Sequence, residues 1–236
     1  LPSKEVSFYS VAAHSREVAS KRLKVLTRLT LDKGIIVVAS IEALLFYLAP
    51  FEVYKKSVFS IKVGDIIPLY ELAASLVDIG YERVGAVEGR GQFCLRGGIL
   101  DIFALTEENP YRLEFFDEEV DSIRQFDVYS QRSIDNLHEI TISPARELIL
   151  NEAQLKQGRA AIYNSLSRYM SKRPADWDSG KLRKKLGYII EQLDQNIYDD
   201  TLDSFFPLFY SNPHSILDYL GADTFIIIDD PGWNGD

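Results

Sequence analysis

Between Ile79 and Leu148 the chain alternates short runs of aromatic and β-branched residues with glycines, Asn109-Pro110 and acidic clusters. It reads Ile79-Gly-Tyr-Glu-Arg-Val-Gly-Ala-Val, then Gly91-Gln-Phe-Cys-Leu-Arg-Gly-Gly-Ile-Leu-Asp-Ile-Phe, then Pro110-Tyr-Arg-Leu-Glu-Phe-Phe-Asp-Glu-Glu-Val. Strand-sized apolar runs bounded by turn formers specify an antiparallel meander. Side chains alternate faces along a strand, so Tyr111, Leu113 and Phe115 point one way and Arg112, Glu114 and Phe116 the other. A solvated face has no need of a large aromatic beside two charges. That face reads as a binding surface.

Composition narrows what such a surface serves. The 236 residues are 46% hydrophobic and 12% aromatic, enough to bury a core in one or two domains. A formal charge of −9 argues against a broad non-specific nucleic-acid footprint, which needs clustered lysine and arginine. One cysteine, Cys94, precludes an intramolecular disulfide and fits a reducing, cytoplasmic setting. No apolar stretch is as long as a membrane span, so no membrane partner is expected. The start at Leu1-Pro2, a lone Met170 and the close after Phe225-Ile-Ile-Ile-Asp-Asp-Pro give the expectation of an excerpt from a longer chain.

Around the meander the pattern is mixed. Residues 12–31 form an amphipathic helix through Val18, Leu23, Val25, Leu26 and Leu29, ended by Gly34. Ile35-Ile-Val-Val-Ala is apolar throughout and predicts a strand buried on both sides. A short helix over 41–47, a strand over 59–63 and a helix from Pro68 to Asp78 follow. The β-rich run spans 81–142. Helices are expected over 151–171 and 177–197, separated at Pro174 within 172–176, and Asn212-Pro213 caps a short helix ending near Gly221. Residues 224–228 return as a buried strand. The fold class is therefore α/β, with an α/β layer, a β insertion, a helical stretch and a return to α/β. Its division is residues 1–66, 67–144 and 145–236.

Catalytic chemistry is hard to place on this chain. A phosphate loop needs Gly-x-x-x-x-Gly-Lys followed by Ser or Thr, and Gly180-Lys181 is followed by Leu182. Gly89-Arg-Gly-Gln-Phe-Cys is half of a dinucleotide fingerprint. Asp229-Asp230 follows an apolar run as a magnesium-binding carboxylate would, yet without a phosphate loop it reads as a strand-end turn. His14, His138 and His214 are too scattered for a metal site. Cys94 lies within a strand as a small buried hydrophobe. The acidic clusters Glu107-Glu108, Asp117-Glu118-Glu119 and Asp199-Asp200 sit at turns. Tyr47, Phe51 and Tyr54 could stack on bases but read better as packing residues, and Lys181-Leu-Arg-Lys-Lys reads as a solvated helix face.

The runs Gly91-Gln-Phe, Arg96-Gly-Gly-Ile-Leu-Asp-Ile-Phe, Tyr111-Arg-Leu-Glu-Phe-Phe-Asp and Ser130-Gln-Arg-Ser-Ile resemble the UvrB-homology module of bacterial transcription-repair coupling factors. Weaker similarity extends over residues 1–69 and the last third. The Gly-Gly after Arg96 and the Ser130–Ile134 segment resemble that family more than UvrB itself. The resemblance implies a UvrB-like fold: a degenerate RecA-like (P-loop-type) domain interrupted by an antiparallel β-rich domain and followed by a helical subdomain. It implies no cofactor here, with ATP and magnesium confined to motor domains of the full-length protein, an ATP-dependent DNA translocase that displaces stalled RNA polymerase and directs nucleotide excision repair. It implies UvrA as the partner, bound through Arg96, Arg112 and Phe116, with the C-terminal domain of the same protein masking this surface. RNA polymerase and double-stranded DNA would be met by other domains.

Two rivals remain. A DNA-handling fragment of a UvrB-like excision nuclease subunit needs a long aromatic hairpin after Pro50, and Phe46–Lys56 runs almost directly into Ser57-Val-Phe-Ser-Ile, leaving no room for one. A general interaction module, polymerase-binding for example, would tolerate changes at Arg96 and Arg112 without effect on UvrA.

Overall fold

The computed structural model describes residues 1–4, 12–32, 34–171, 180–195, 202 and 205–229. Helix α1 (Ala12–Leu31) is followed by α2 (Ile41–Leu44), α3 (Phe51–Lys56), β1 (Phe59–Lys62) and α4 (Leu69–Asp78). Six strands then build one sheet: β2 (Glu82–Arg83), β3 (Gln92–Arg96), β4 (Ile99–Phe103), β5 (Tyr111–Phe116), β6 (Glu119–Phe126) and β7 (Ser133–Leu137). They lie in chain order, antiparallel throughout except for a short parallel β2–β3 pairing. Strand β8 (Glu139–Ile142) returns to pair with β1 in a separate ribbon. Helices α5 (Glu152–Ser171), α6 (Gly180–Asp194) and α7 (Phe206–Phe209) complete the chain, with a 3-10 turn over Ile216–Tyr219.

One face of the six-stranded sheet is dry. Phe93, Leu100, Ile102, Tyr111, Leu113 and Ile123 pack there against Leu72 and Leu76 of α4 and against Ile61, Ile140 and Ile142 of the ribbon. This is the period-2 alternation expected for β5, with Tyr111 and Leu113 inward. A second core forms where α5, α6 and α7 meet, around Ile162, Ile189, Leu193, Phe206 and Phe209. A third lies under α1, where Leu23 and Leu26 meet Tyr54 and Tyr219.

Several sequence expectations need correction. Residues 35–39 are not a strand, and Ile36 and Val38 are 94% and 80% exposed. Residues 224–228 are likewise unpaired, with Phe225 to Ile228 between 64% and 94% exposed. A run that is apolar on both faces records that it suits burial, but a strand exists only where a neighbour supplies its ladder. No described residue does so here. The helix expected over 41–47 ends at Leu44, because Leu48 leaves to bridge His214. The cap expected at Asn212-Pro213 is Ser215 instead, whose hydroxyl accepts from Leu217 N while Asp218 accepts from Ser215 N. Residues 172–176, including Pro174, fall outside the described residues, as do Asp199, Asp200 and Asp230.

One buried ion pair ties these cores together. Arg22 of α1 is fully buried, and its Nε and Nη2 donate to Glu147 Oε1 and Oε2 at 2.7 and 3.1 Å. Its Nη1 donates to the Pro2 carbonyl at 2.7 Å, and Lys4 Nζ lies 3.2 Å from Glu147 Oε2. Burial alone would push the Glu147 carboxyl up; Lys4 and Arg22 outweigh it and hold the group below its ordinary value of 4.5. A depressed folded pKa contributes stability that is complete above the unfolded value and lost as pH falls through the folded one. Glu147→Gln is therefore expected to cost about 3–5 kcal/mol at neutral pH, by stranding Arg22. Urea titrations should also show a shallower loss of stability for the variant than for the wild type below pH 4.5.

Candidate protein-binding face

The other face of the six-stranded sheet carries the polar residues of the meander. Across it run Cys94, Asp101, Arg112, Arg124 and Asn136 on five successive strands, paired in register. The next row is Arg96, Ile99, Glu114 and Ser122. Beyond a register shift at Glu114/Phe115, Phe116 closes the hairpin opposite Glu119. Arg96, Arg112 and Phe116 thus share one face, but β3 and β5 are not adjacent. Strand β4 lies between them, and its Asp101 links the two arginines.

The two arginines have different surroundings. Arg112 donates from Nε and Nη2 to the two Asp101 oxygens at 2.6 and 2.8 Å, and again from Nη2 to Gln131 Oε1 at 3.0 Å. Its guanidinium lies 4.3 Å above the Phe126 ring, and its side chain is 18% exposed. The hydrogen bond to Asp101 raises the Arg112 pKa further, so the group stays charged. Arg96 stands 3.9 Å from Asp101 with a side chain 61% exposed. Its guanidinium keeps donors free for another acceptor. Phe116, 80% exposed, makes no use of the core. On the neighbouring strand Arg124 pairs with Glu114, which also accepts from Ser122 Oγ at 3.0 Å.

The Arg96-Gly-Gly-Ile sequence has a local reason. Gly97 takes φ +58°, which suits glycine at the turn between β3 and β4. At Gly98 a Cβ would meet the Phe115 carbonyl at 2.8 Å, so only glycine lets this turn approach β5, where Phe115 N donates to Gly98 O. The turn that presents Arg96 is thereby fastened to the strand that presents Phe116.

Other candidates are not assembled into a site. Cys94 is buried, its thiol donating to Gly85 O at 3.1 Å. His214 Nδ1 accepts from Phe51 N at 3.1 Å, and no group of three metal-ligating side chains occurs among the described residues. Burial raises the Tyr54 hydroxyl pKa, and the group shares a hydrogen bond with Thr27. Phe51 packs edge-on against Tyr219 at 5.3 Å, so both rings serve the core, while Tyr47 is half exposed. The side chains of His14, Lys181, Arg183 and Lys185 lie outside the described residues. Asp229 ends an unpaired, exposed segment. No described helix is long and apolar enough to cross a membrane.

Sequence reasoning missed the roles of Gln131, Phe126 and Arg124. Gln131 adopts φ +57°, and its Nε2 donates to Val128 O at 2.8 Å, holding the loop beside Arg112. Nothing in a linear pattern announces a partner 19 positions away.

The same stretch of chain is recognisable by comparison. Residues 59–148 match the UvrB interaction domain family. The match begins at β1 and ends just past β8, so it takes in both the ribbon and the six-stranded sheet. Over 97% of its length the chain is 40% identical to a transcription-repair-coupling factor of Bacillus subtilis (strain 168), covering 20% of that protein. It is 31% identical to the factor of Staphylococcus haemolyticus and 32% to that of Staphylococcus aureus (strain MRSA252), each over 97% of this chain and 19% of the relative. The chain thus spans about a fifth of the length of these relatives.

Within residues 59–148, Arg112 and Arg96 should separate cleanly by stability. Arg112→Ala leaves the buried Asp101 carboxylate without its main partner and is expected to lower unfolding free energy by about 2–4 kcal/mol in urea. Arg96→Ala and Phe116→Ala, both at exposed positions, should stay within about 0.5 kcal/mol of wild type.

Proposed function

We propose that this chain is a non-catalytic docking module that recruits UvrA to a transcription-repair coupling factor. The observation that carries this reading is a rigid sheet face with Arg96 and Phe116 exposed beside the fixed Arg112–Asp101 pair, inside a UvrB interaction domain. Arginine and aromatic side chains on a preorganised surface are what a protein interface uses as anchors. In this proposal Phe116 and Arg96 touch UvrA directly. Arg112 contributes chiefly by positioning, since most of its donors are committed within the domain.

The wider assignment belongs to the same proposal. The relatives are about five times as long as this chain, which supports further domains outside it. In this proposal the full-length protein is cytoplasmic, binds ATP and magnesium in those motor domains and moves on double-stranded DNA to displace stalled RNA polymerase. Its C-terminal domain would mask the UvrA-binding face until engagement. The exposed apolar segments at residues 35–38 and 225–228 support a division in which residues 1–66 are part of a degenerate RecA-like layer, residues 67–144 the β-rich UvrA-interacting domain, and residues 145–236 a helical subdomain returning to that layer. The rival DNA-handling reading is weaker, because residues 51–56 form a short helix of under about two turns where its hairpin would emerge.

Isothermal titration with purified UvrA tests the docking role. Wild type should bind, and truncation at each exposed anchor should cost about 2 kcal/mol or more, about thirtyfold in Kd. The Arg96→Ala/Phe116→Ala double variant, which leaves the Arg112–Asp101 pair intact, should show no binding at micromolar concentration. Undiminished affinity in that variant would overturn the proposal.

A further inference from the structure

Beside the hairpin that carries Phe116 lies an apolar residue that strand alternation did not single out. Residues 64–67 run antiparallel along the edge of β6: Gly64 N donates to Val120 O at 2.8 Å, Val120 N to Asp65 O at 2.9 Å and Ile67 N to Glu118 O at 2.8 Å. Ile66 is directly opposite Glu119, and Glu119 is directly opposite Phe116. Directly opposed residues of antiparallel strands project to the same side. Ile66, Glu119 and Phe116 therefore stand in a row across three backbones, with the two apolar residues roughly 10 Å apart at two strand spacings.

The fold makes no use of Ile66. Its neighbours Val63 and Ile67 pack against the core under the sheet, whereas Ile66 is 75% exposed. A single exposed aliphatic residue is ordinary on any protein. Two large apolar side chains flanking one carboxylate, on backbone held by hydrogen bonds on both sides, are a preformed contact element. Little conformational entropy remains to be lost when they are covered. The element continues the face that bears Arg96, because β3, β4, β5 and β6 are hydrogen-bonded neighbours in one sheet.

We propose that Ile66 and Phe116 form a two-point apolar knob straddling Glu119, and that it seats in an apolar recess of the protein bound by the arginine face. The rim of that recess supplies a hydrogen-bond donor or cation to Glu119. The proposal rests on the reading of this face as the UvrA-binding surface and adds a contact from outside the strands that first marked it.

The test is a titration of purified UvrA into wild type, Ile66→Ser, Leu45→Ser, Arg96→Ala and Phe116→Ala. Ile66→Thr is included because it keeps a β-branched residue in the strand-like segment should serine disturb it. Leu45, also 75% exposed, lies next to α2 and away from the hairpin, and controls for loss of any exposed aliphatic. Ile66→Ser should raise Kd on the order of tenfold, Leu45→Ser should leave it unchanged, and the Ile66→Ser/Phe116→Ala pair should be non-additive, as residues filling one recess are. If Ile66→Ser and Ile66→Thr bind as wild type does while Arg96→Ala and Phe116→Ala bind weakly, the knob is wrong and the arginine face stands. If no variant weakens binding, the arginine face itself is wrong and the knob falls with it. If sedimentation shows a wild-type dimer that Ile66→Ser dissolves without changing UvrA affinity, the knob's occupant is a second copy and the proposal is overturned.

Discussion

A carboxylate with almost no water contact sits in the middle of the polar sheet face, and the layout of that face follows from how Asp101 is paired. Arg112, directly across from it on β5, meets both oxygens in a bidentate pair and lies over the Phe126 ring. Bidentate geometry of this kind is open to arginine and not to lysine, because only the guanidinium offers two parallel donors. With Asp101 satisfied, Arg96 is left at longer range and largely in solvent. The surface thus has a fixed cation and an available one. On a chain of formal charge −9 this patch sets Arg96, Arg112 and Arg124 against Asp101, Glu114 and Glu119, so locally the chain's acidic excess is balanced. Electrostatics at that scale steers a partner to one face more than it adds affinity.

The rigidity of the face is built in by means unrelated to recognition. Gly97 and Gly98 bring the β3–β4 turn against β5, Gln131 closes the loop over Arg112, and the segment 64–67 flanks the hairpin tip. The first and last are backbone devices and Gln131 acts through its side-chain amide; together they place side chains before any partner arrives. The distant pair of Arg22 and Glu147 does the corresponding work between helix α1 and the segment that leaves β8. Such a buried pair adds little net stability compared with apolar packing, yet it penalises any arrangement that separates its members. It sets where α1 sits.

Much of this was legible in the residues. The alternation Tyr111-Arg-Leu-Glu-Phe-Phe assigned faces correctly, and Arg112, Glu114 and Phe116 do lie opposite the core. Helices over 12–31, 69–78 and 151–171 followed from periodicity and from Pro68. The errors share one cause. Residues 35–39 and 224–228 have the composition of buried strands, but a strand is a relation between two segments, and composition describes only one of them. For the same reason, face alternation alone does not say which strand stands between those bearing Arg96 and Arg112: the turn Gly97-Gly98 inserts β4 there.

The sequence by itself determined the period-2 alternation, the turn positions and the helix faces, because these depend on residues within a few positions of each other. It also carried a likeness to a repair-coupling family in motifs whose glycines and arginines have local backbone or face roles. Only the tertiary structure decided that Asp101 stands between the two arginines, that Arg112 is committed while Arg96 is free, and that Ile66 joins Phe116 across Glu119. Those outcomes depend on strand register and on which side chain reaches water. Both are set by contacts between segments far apart in the chain, which no local pattern encodes.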